Sequence, residues 1–164
     1  MTAARPLERT TRGACAVREV SAGDLRTVVA LARRMHAESA FAFLAFDVGS
    51  VTSGFEAVVG REDHFGAVAE RGARVVGFIA GRLAHYPFSR EILASDLAFY
   101  VAPEARASTA AVRLVRALWT WAESKGAREL SLASSSGVEV ERLEQFYGRL
   151  GLAKMGSIHR VRLH

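Results

Sequence analysis

The 164-residue sequence predicts a single α/β domain, with a mixed sheet and helices on both of its faces. Three observations carry this. Short segments with alternating or continuous apolar residues, namely Val17–Val20, Phe65–Glu70, Arg74–Leu83, Asp96–Val101 and Glu129–Ala133, read as strands. Segments with apolar residues at helical spacing are interleaved with them, and that order places a sheet between helices. No linker, internal repeat or low-complexity run divides the chain, which is long enough for one hydrophobic core.

The elements follow in order. Val17–Val20 is the first strand. Ser21 offers an N-cap with Asp24 three residues later, and Leu25, Val28, Val29, Ala32 and Met35 then form one helical face. Glu38–Asp47 is rich in Phe without a clean period, and a short helix is expected near Val51–Val59. Phe65–Glu70 and Arg74–Leu83 form a hairpin across Arg71-Gly72, and Gly77 and Gly81 signal a bulge or a close backbone approach in its second strand. After the loop His85–Glu91 comes the strand Asp96–Val101, stopped by Pro103. Alternation puts Asp96, Ala98 and Tyr100 on one face of it, and Leu97, Phe99 and Val101 on the other. Thr109–Lys125 is the clearest helix, with Gly126 at its C-terminal cap. The strand Glu129–Ala133, a helix over Glu139–Leu150 and one or two strands within Leu152–Leu163 complete the domain.

Composition narrows the function. Half the residues are hydrophobic and 24% are charged, as in ordinary globular proteins. No apolar run is long enough to cross a membrane. Residues 1–14 are polar and Arg-rich without a secretory apolar stretch. They read as a flexible tail on a cytoplasmic protein, with residues 15–164 as the domain; an organelle transit peptide has a similar composition. The net charge of +5 suits an anionic ligand, but the basic residues are scattered and no nucleic-acid partner is expected. The lone Cys15 reads as a half-buried structural thiol. His85, His159 and His164 lack metal-ligand spacing with acids or Cys, so no metal is expected.

The chemistry concentrates between Val101 and the helix that follows. A helix N-terminus presents unpaired N–H groups and positive dipole charge. Small residues at Ala107, Ser108, Thr109, Ala110 and Ala111 let an anion approach that backbone, and Arg106 adds a cation. This suits a pyrophosphate as well as it suits an ordinary tight connection. No Walker-type or dinucleotide glycine fingerprint is present.

At this junction the sequence resembles the GNAT superfamily of N-acetyltransferases. The resemblance runs through Asp96–Val101, Ala102–Arg106, the helix to Gly126, and Glu129–Ala133. The run Phe146-Tyr147-Gly148-Arg149-Leu150-Gly151-Leu152 is similar to the family's Leu-Tyr-x-Lys-x-Gly-Phe signature. Met35–Ser39 and Phe46-Asp47 resemble a bacterial and phage-associated subgroup. The resemblance implies a sheet splayed between its fourth and fifth strands, with acetyl-CoA as acyl donor in the cleft. The backbone of Tyr100 and Val101 would bind the pantetheine arm, and Ser134 would stand on the opposite wall. The family's phosphate loop, Arg/Gln-x-x-Gly-x-Gly/Ala, corresponds here to Arg106–Ala111, with Thr109 in place of the first glycine.

The resemblance also implies acetyl transfer to a primary amine of a small molecule or peptide, by direct transfer in a ternary complex; a non-catalytic CoA-binding regulatory relative is the alternative that Thr109 prompts. Cys15, the alternative nucleophile, is far along the chain from the cleft. Tyr147 matches the tyrosine that meets the CoA sulfur, and a phenol is a suitable acid for a departing thiolate. Asp96 is the base candidate, or else a strand-end cap or ion-pair partner. His36, Glu38, Phe41 and His85 border the expected acceptor pocket; His36 or Glu38 is an alternative base or substrate ligand, and each reads equally as a surface residue. A homodimer is implied as well.

Overall fold

The structure is a computed structural model and describes residues 15–163. The flexible tail expected over residues 1–14, and His164, lie outside the described residues. A five-stranded sheet is ordered β1-β2-β3-β4-β5. It consists of β1 (Ala16–Glu19), β2 (His64–Arg71), β3 (Arg74–His85), β4 (Ile92–Val101) and β5 (Leu130–Ser131). The first four strands are antiparallel neighbours, and β5 joins β4 in parallel. Helices α1 (Leu25–Glu38) and α2 (Val48–Gly60) cover one face. Helices α3 (Ala110–Ser124) and α4 (Val140–Arg149) cover the other.

Each helix lies where its apolar stripe finds a sheet face. On the α3 side, Leu114, Val115 and Leu118 are fully buried against Ala67, Ala69, Val76 and Ile79. Burying one such side chain contributes about 1.5–3 kcal/mol. On the other face Val28, Leu31 and Ala32 of α1 pack with Phe55 and Val58 of α2 against Val68, Phe78 and Tyr100. Arg18 fixes the start of α1 by a bidentate pair to Asp24 at 2.7 and 2.8 Å while also reaching Glu70. Ser39 stops α1 after Glu38: its Oγ donates to the His36 carbonyl and accepts from the Phe41 N–H. No helix among the described residues is long and apolar enough to cross a membrane.

The structure corrects two expectations, the first of them in β4. Ala80 pairs with Ala98 and Gly81 with Asp96, so Leu97 is an extra residue opposite no partner. Such a bulge interrupts the two-residue alternation. A Cβ added to Gly81 would lie 2.5 Å from Leu118 of α3, so Gly81 and its partner Asp96 face the α3 side. Tyr100 belongs to the α1–α2 side. Asp96 therefore lies on the opposite face from Tyr100, not on the same one.

The second correction concerns the chain's end. No strand forms within Leu152–Leu163. Strand β5 is two residues long and offers too short an edge to pair with. Leu152 packs against the core, and the larger apolar side chains beyond it stay in solvent, Met155 at 92% and Val161 at 77% exposure.

Candidate active site

Strands β4 and β5 are paired only at Ala94–Leu130 and Ser95–Ser131. Beyond that point the sheet opens. The Asp96 side chain takes the place of the missing ladder bond, its Oδ1 accepting the Ala133 N–H at 2.9 Å. From α4, the Tyr147 Oη donates to the carbonyl of the same residue, Ala133, at 3.4 Å. The apolar stripe of α4 seats that tyrosine, since Phe146, Leu143 and Leu150 pack beside it on the α3-side core. Asp96 and Tyr147, distant in sequence, thus converge where the two strands part. Burial pushes the Asp96 carboxyl up to about 6, against the Ala133 N–H bond that lowers it. Burial, and secondarily the Asp96 charge, raises the Tyr147 phenol above its ordinary value.

The opening continues into a cleft of about 150 Å³ at the carboxyl end of β4. Phe99, Val101, Phe146 and Leu143 form its apolar walls, with Arg106 and Glu139 among its polar lining. A topological opening between parallel strands is where α/β sheets place ligands. The cleft edge of β4 beyond Ser95 has no strand beside it.

At the phosphate loop, Ser108 acts as an internal brace. Its Oγ donates to the Ala105 carbonyl at 2.6 Å and accepts the Ala110 N–H at 3.2 Å. The Cys15 thiol donates to the same Oγ at 3.4 Å. Cys15 is fully buried rather than half-buried, and in space it stands directly behind the loop that looked remote in sequence. The amides of Ala107, Thr109, Ala111 and Val112 find no acceptor among the described residues. Thr109 sits at φ −80°, ψ 0°, right-handed backbone open to any residue, so glycine is not required there.

Arg106 is held inward. Its Nε donates to the Val101 carbonyl at 3.0 Å, one terminal nitrogen pairs with Glu38, and the other reaches Glu139 at 3.4 Å. Glu38 also accepts from the Tyr100 Oη at 2.5 Å. Burial would raise the Glu38 carboxyl, but the bonds from Tyr100 and Arg106 outweigh it and hold the group below its ordinary value.

Other expected site residues are dispersed. His36 stacks beside Phe46 with ring centroids 5.4 Å apart, and its Nε2 is buried with no partner among the described residues. Phe41 lies under the Arg160 guanidinium. His85 pairs with Ile92 at the far end of β4, away from the cleft. The cleft wall after β5 carries Ser136 rather than Ser134. Glu139 and Arg142 line the cleft and were not anticipated from the sequence. Glu139 has φ +42°, and only its place just before an amphipathic helix could have marked it.

Among solved structures, the acetyltransferase AAC(6′)-Iy bound to the bisubstrate analogue CoA-S-monomethyl-acetylneamine superposes with a TM-score of 0.74, at 15% identity, covering 92% of this chain and 98% of its own. The aminoglycoside 6′-N-acetyltransferase AAC(6′)-IG of Acinetobacter haemolyticus gives 0.71 at 12% identity, over 91% and 98%. A ribosomal-protein-alanine N-acetyltransferase of Brucella melitensis biovar Abortus 2308 gives 0.68 at 17%, over 92% and 99%. No curated protein sequence matches the chain. The family model described as "Acetyltransferase (GNAT) family" matches residues 30–152, from mid-α1 to the turn after α4. With the splayed sheet and most of the chain inside that match, the protein belongs to the GNAT acetyltransferase family and is an N-acetyltransferase.

Proposed function

We propose that the chain transfers an acetyl group from acetyl-CoA directly to a primary amine within a ternary complex, with Asp96 as general base and Tyr147 as general acid. The observation that carries this is the convergence of both side chains on Ala133 at the point where β4 and β5 part. When bound, acetyl-CoA supplies the acetyl group as an activated thioester. The residues present suit it. The unpartnered amides of Ala107, Thr109, Ala111 and Val112 lie at the positive end of α3, as a pyrophosphate requires. The cleft edge of β4 at Tyr100 and Val101 suits an extended amide-bearing arm, which would lie there as an added strand.

Asp96 accepts a proton from the acceptor's ammonium, directly or through a water, and leaves the amine nucleophilic. A carboxyl near 6 is largely ionised at neutral pH yet more basic than an exposed one. The Tyr147 Oη donates its proton to the departing sulfur, and its raised pKa keeps that proton in place until the thiolate forms. Direct transfer is supported by Cys15, which lies buried behind the loop and out of reach of an acyl donor. A small amine as acceptor is supported by the two neighbours named for AAC(6′) activities. Homodimeric assembly belongs to the same reading, supported by the exposed Met155, Ile158 and Val161.

Calorimetric titration with acetyl-CoA, followed by thiol-release assays on an amine panel, tests this. Saturable binding with amine-dependent thiol release is expected. Binding without turnover on any amine would refute the catalytic reading, and no binding at millimolar acetyl-CoA would refute the donor.

A further inference from the structure

Resting on that reading, we propose that the acceptor is a monoamine carrying a carboxylate, of the amino-acid type, and not a polycation. Glu139, which lines the cleft, and Glu38, which touches its lining residues Tyr100 and Arg106, are already paired. Glu38 is held by Tyr100 and Arg106. Glu139 is shared between Arg106 and Arg142. Asp96 is committed to Ala133 and to the reaction. A ligand with several ammonium groups would meet no carboxylate to spare and would face Arg106 and Arg142.

The positive counterpart is a short double row of Arg on Phe. Arg160 lies over Phe41 at 4.5 Å and Arg162 over Phe43 at 4.0 Å. The sequence offset is the same in both pairs, so the two segments run side by side in the same direction. Neither guanidinium has a carboxylate partner among the described residues. A guanidinium stacked on a ring is held in orientation while its N–H edges stay available to a carboxylate.

This row adjoins the cleft through the backbone. The Ala40 N–H, one residue before Phe41, donates to the Ser136 carbonyl at 2.9 Å, and Ser136 lines the cleft. The segment bearing the arginines starts where the Leu152 N–H donates to the Tyr147 carbonyl at 3.1 Å. In this proposal the amine reaches Asp96 and Tyr147 from this side, with its carboxylate under Arg160 and Arg162. The chemistry leaves that carboxylate unchanged. The C–N bond forms and the C–S bond breaks; the ammonium gives one proton to Asp96 before attack, Tyr147 gives one to the sulfur, and the second nitrogen proton returns to the Tyr147 oxygen as the amide forms.

The test is thiol release with acetyl-CoA on matched pairs, tyrosine against tyramine and histidine against histamine, with kanamycin as the polycation. The carboxylated member of each pair should show kcat/KM higher by about tenfold, the scale of one charge-assisted contact. Arg160→Gln with Arg162→Gln should erase that gap, and Arg160→Glu with Arg162→Glu should reverse it. The KM for acetyl-CoA should stay unchanged throughout, which also reports that the variants are folded. Preference for tyramine, histamine or kanamycin, or a gap untouched by the Arg variants, overturns this inference and leaves acetyl transfer standing. Turnover of no amine by protein that binds acetyl-CoA overturns acetyl transfer itself, and this inference with it.

Discussion

Replacing Asp96 with Asn separates the catalytic use of that carboxyl from its effect on folding. Its pKa is lifted by burial to about 6. At 1.36 kcal/mol per tenfold, a rise of that size from the ordinary carboxyl range sets about 3 kcal/mol against the charged form in the folded state. The sign follows from linkage. Below about pH 4 the carboxyl is protonated whether the chain is folded or not, and the penalty is absent. Stability is lost as pH climbs through 6, because the unfolded chain ionises first. Asn removes the charge and keeps an oxygen to accept the Ala133 N–H. Allowing about 1 kcal/mol for imperfect polar pairing, Asp96→Asn should be more stable than wild type by about 2 kcal/mol at pH 8. For a domain of this size that is about 4–8 °C in Tm. The assay is thermal unfolding of both proteins at pH 4 and pH 8: the variant should be the more stable at pH 8 and the less stable, by about 1 kcal/mol, at pH 4. In the same variant kcat should fall by about 10²–10⁴, the usual contribution of a general base. In wild type, kcat/KM should rise with pH through 6. Equal Tm values at pH 8, or the same Tm gap at both pH values, would refute the electrostatic reasoning.

Tyr147→Phe should lower kcat by about 10²-fold while leaving acetyl-CoA affinity near wild type, checked by steady-state kinetics beside calorimetry; unchanged kcat would remove the acid role. Because the phenol is raised above its ordinary value, no falling limb from Tyr147 should appear in the pH–rate profile below pH 10. Thr109→Gly should leave acetyl-CoA affinity within about twofold and lower stability by about 0.5–1 kcal/mol, since the backbone there is right-handed and glycine adds only chain entropy; tighter binding by calorimetry would contradict that. In Gly77→Ala the new methyl would stand 2.8 Å from the Tyr100 carbonyl, a backbone atom. Denaturant melts should show a loss of about 1–3 kcal/mol, accompanied by weaker acetyl-CoA binding because the end of β4 must shift.

The fold was legible wherever burial imposes a period. The α3 and α4 stripes and the β2–β3 hairpin depend on side chains entering a core, and that requirement is written residue by residue. The orientation of Asp96 was not legible, because a single extra residue at Leu97 reverses the face of everything before it. Gly81 was the one trace of that bulge in the sequence. The apolar alternation after Leu152 was visible, yet a strand needs an edge to pair with, and the length of β5 is settled by Asp96 capturing the Ala133 N–H. The phosphate loop was found from its small residues and its place before a helix. Its support from Cys15 was invisible, because it joins residues 93 positions apart. Glu38 looked like a surface or acceptor-side acid, and only packing the end of α1 against β4 gives it Tyr100 and Arg106 as partners.

That contact between Cys15 and Ser108 makes the protein its own reporter. The sole thiol of the chain is sealed in the native state at the back of the cofactor loop. Its reaction with an aromatic disulfide reagent therefore counts openings of the β1–α3 packing, one molecule at a time and without any introduced label. A ligand that grips the loop from the front should slow that reaction in proportion to its occupancy, so cofactor affinity can be read from a colour change even in a variant that has lost all turnover.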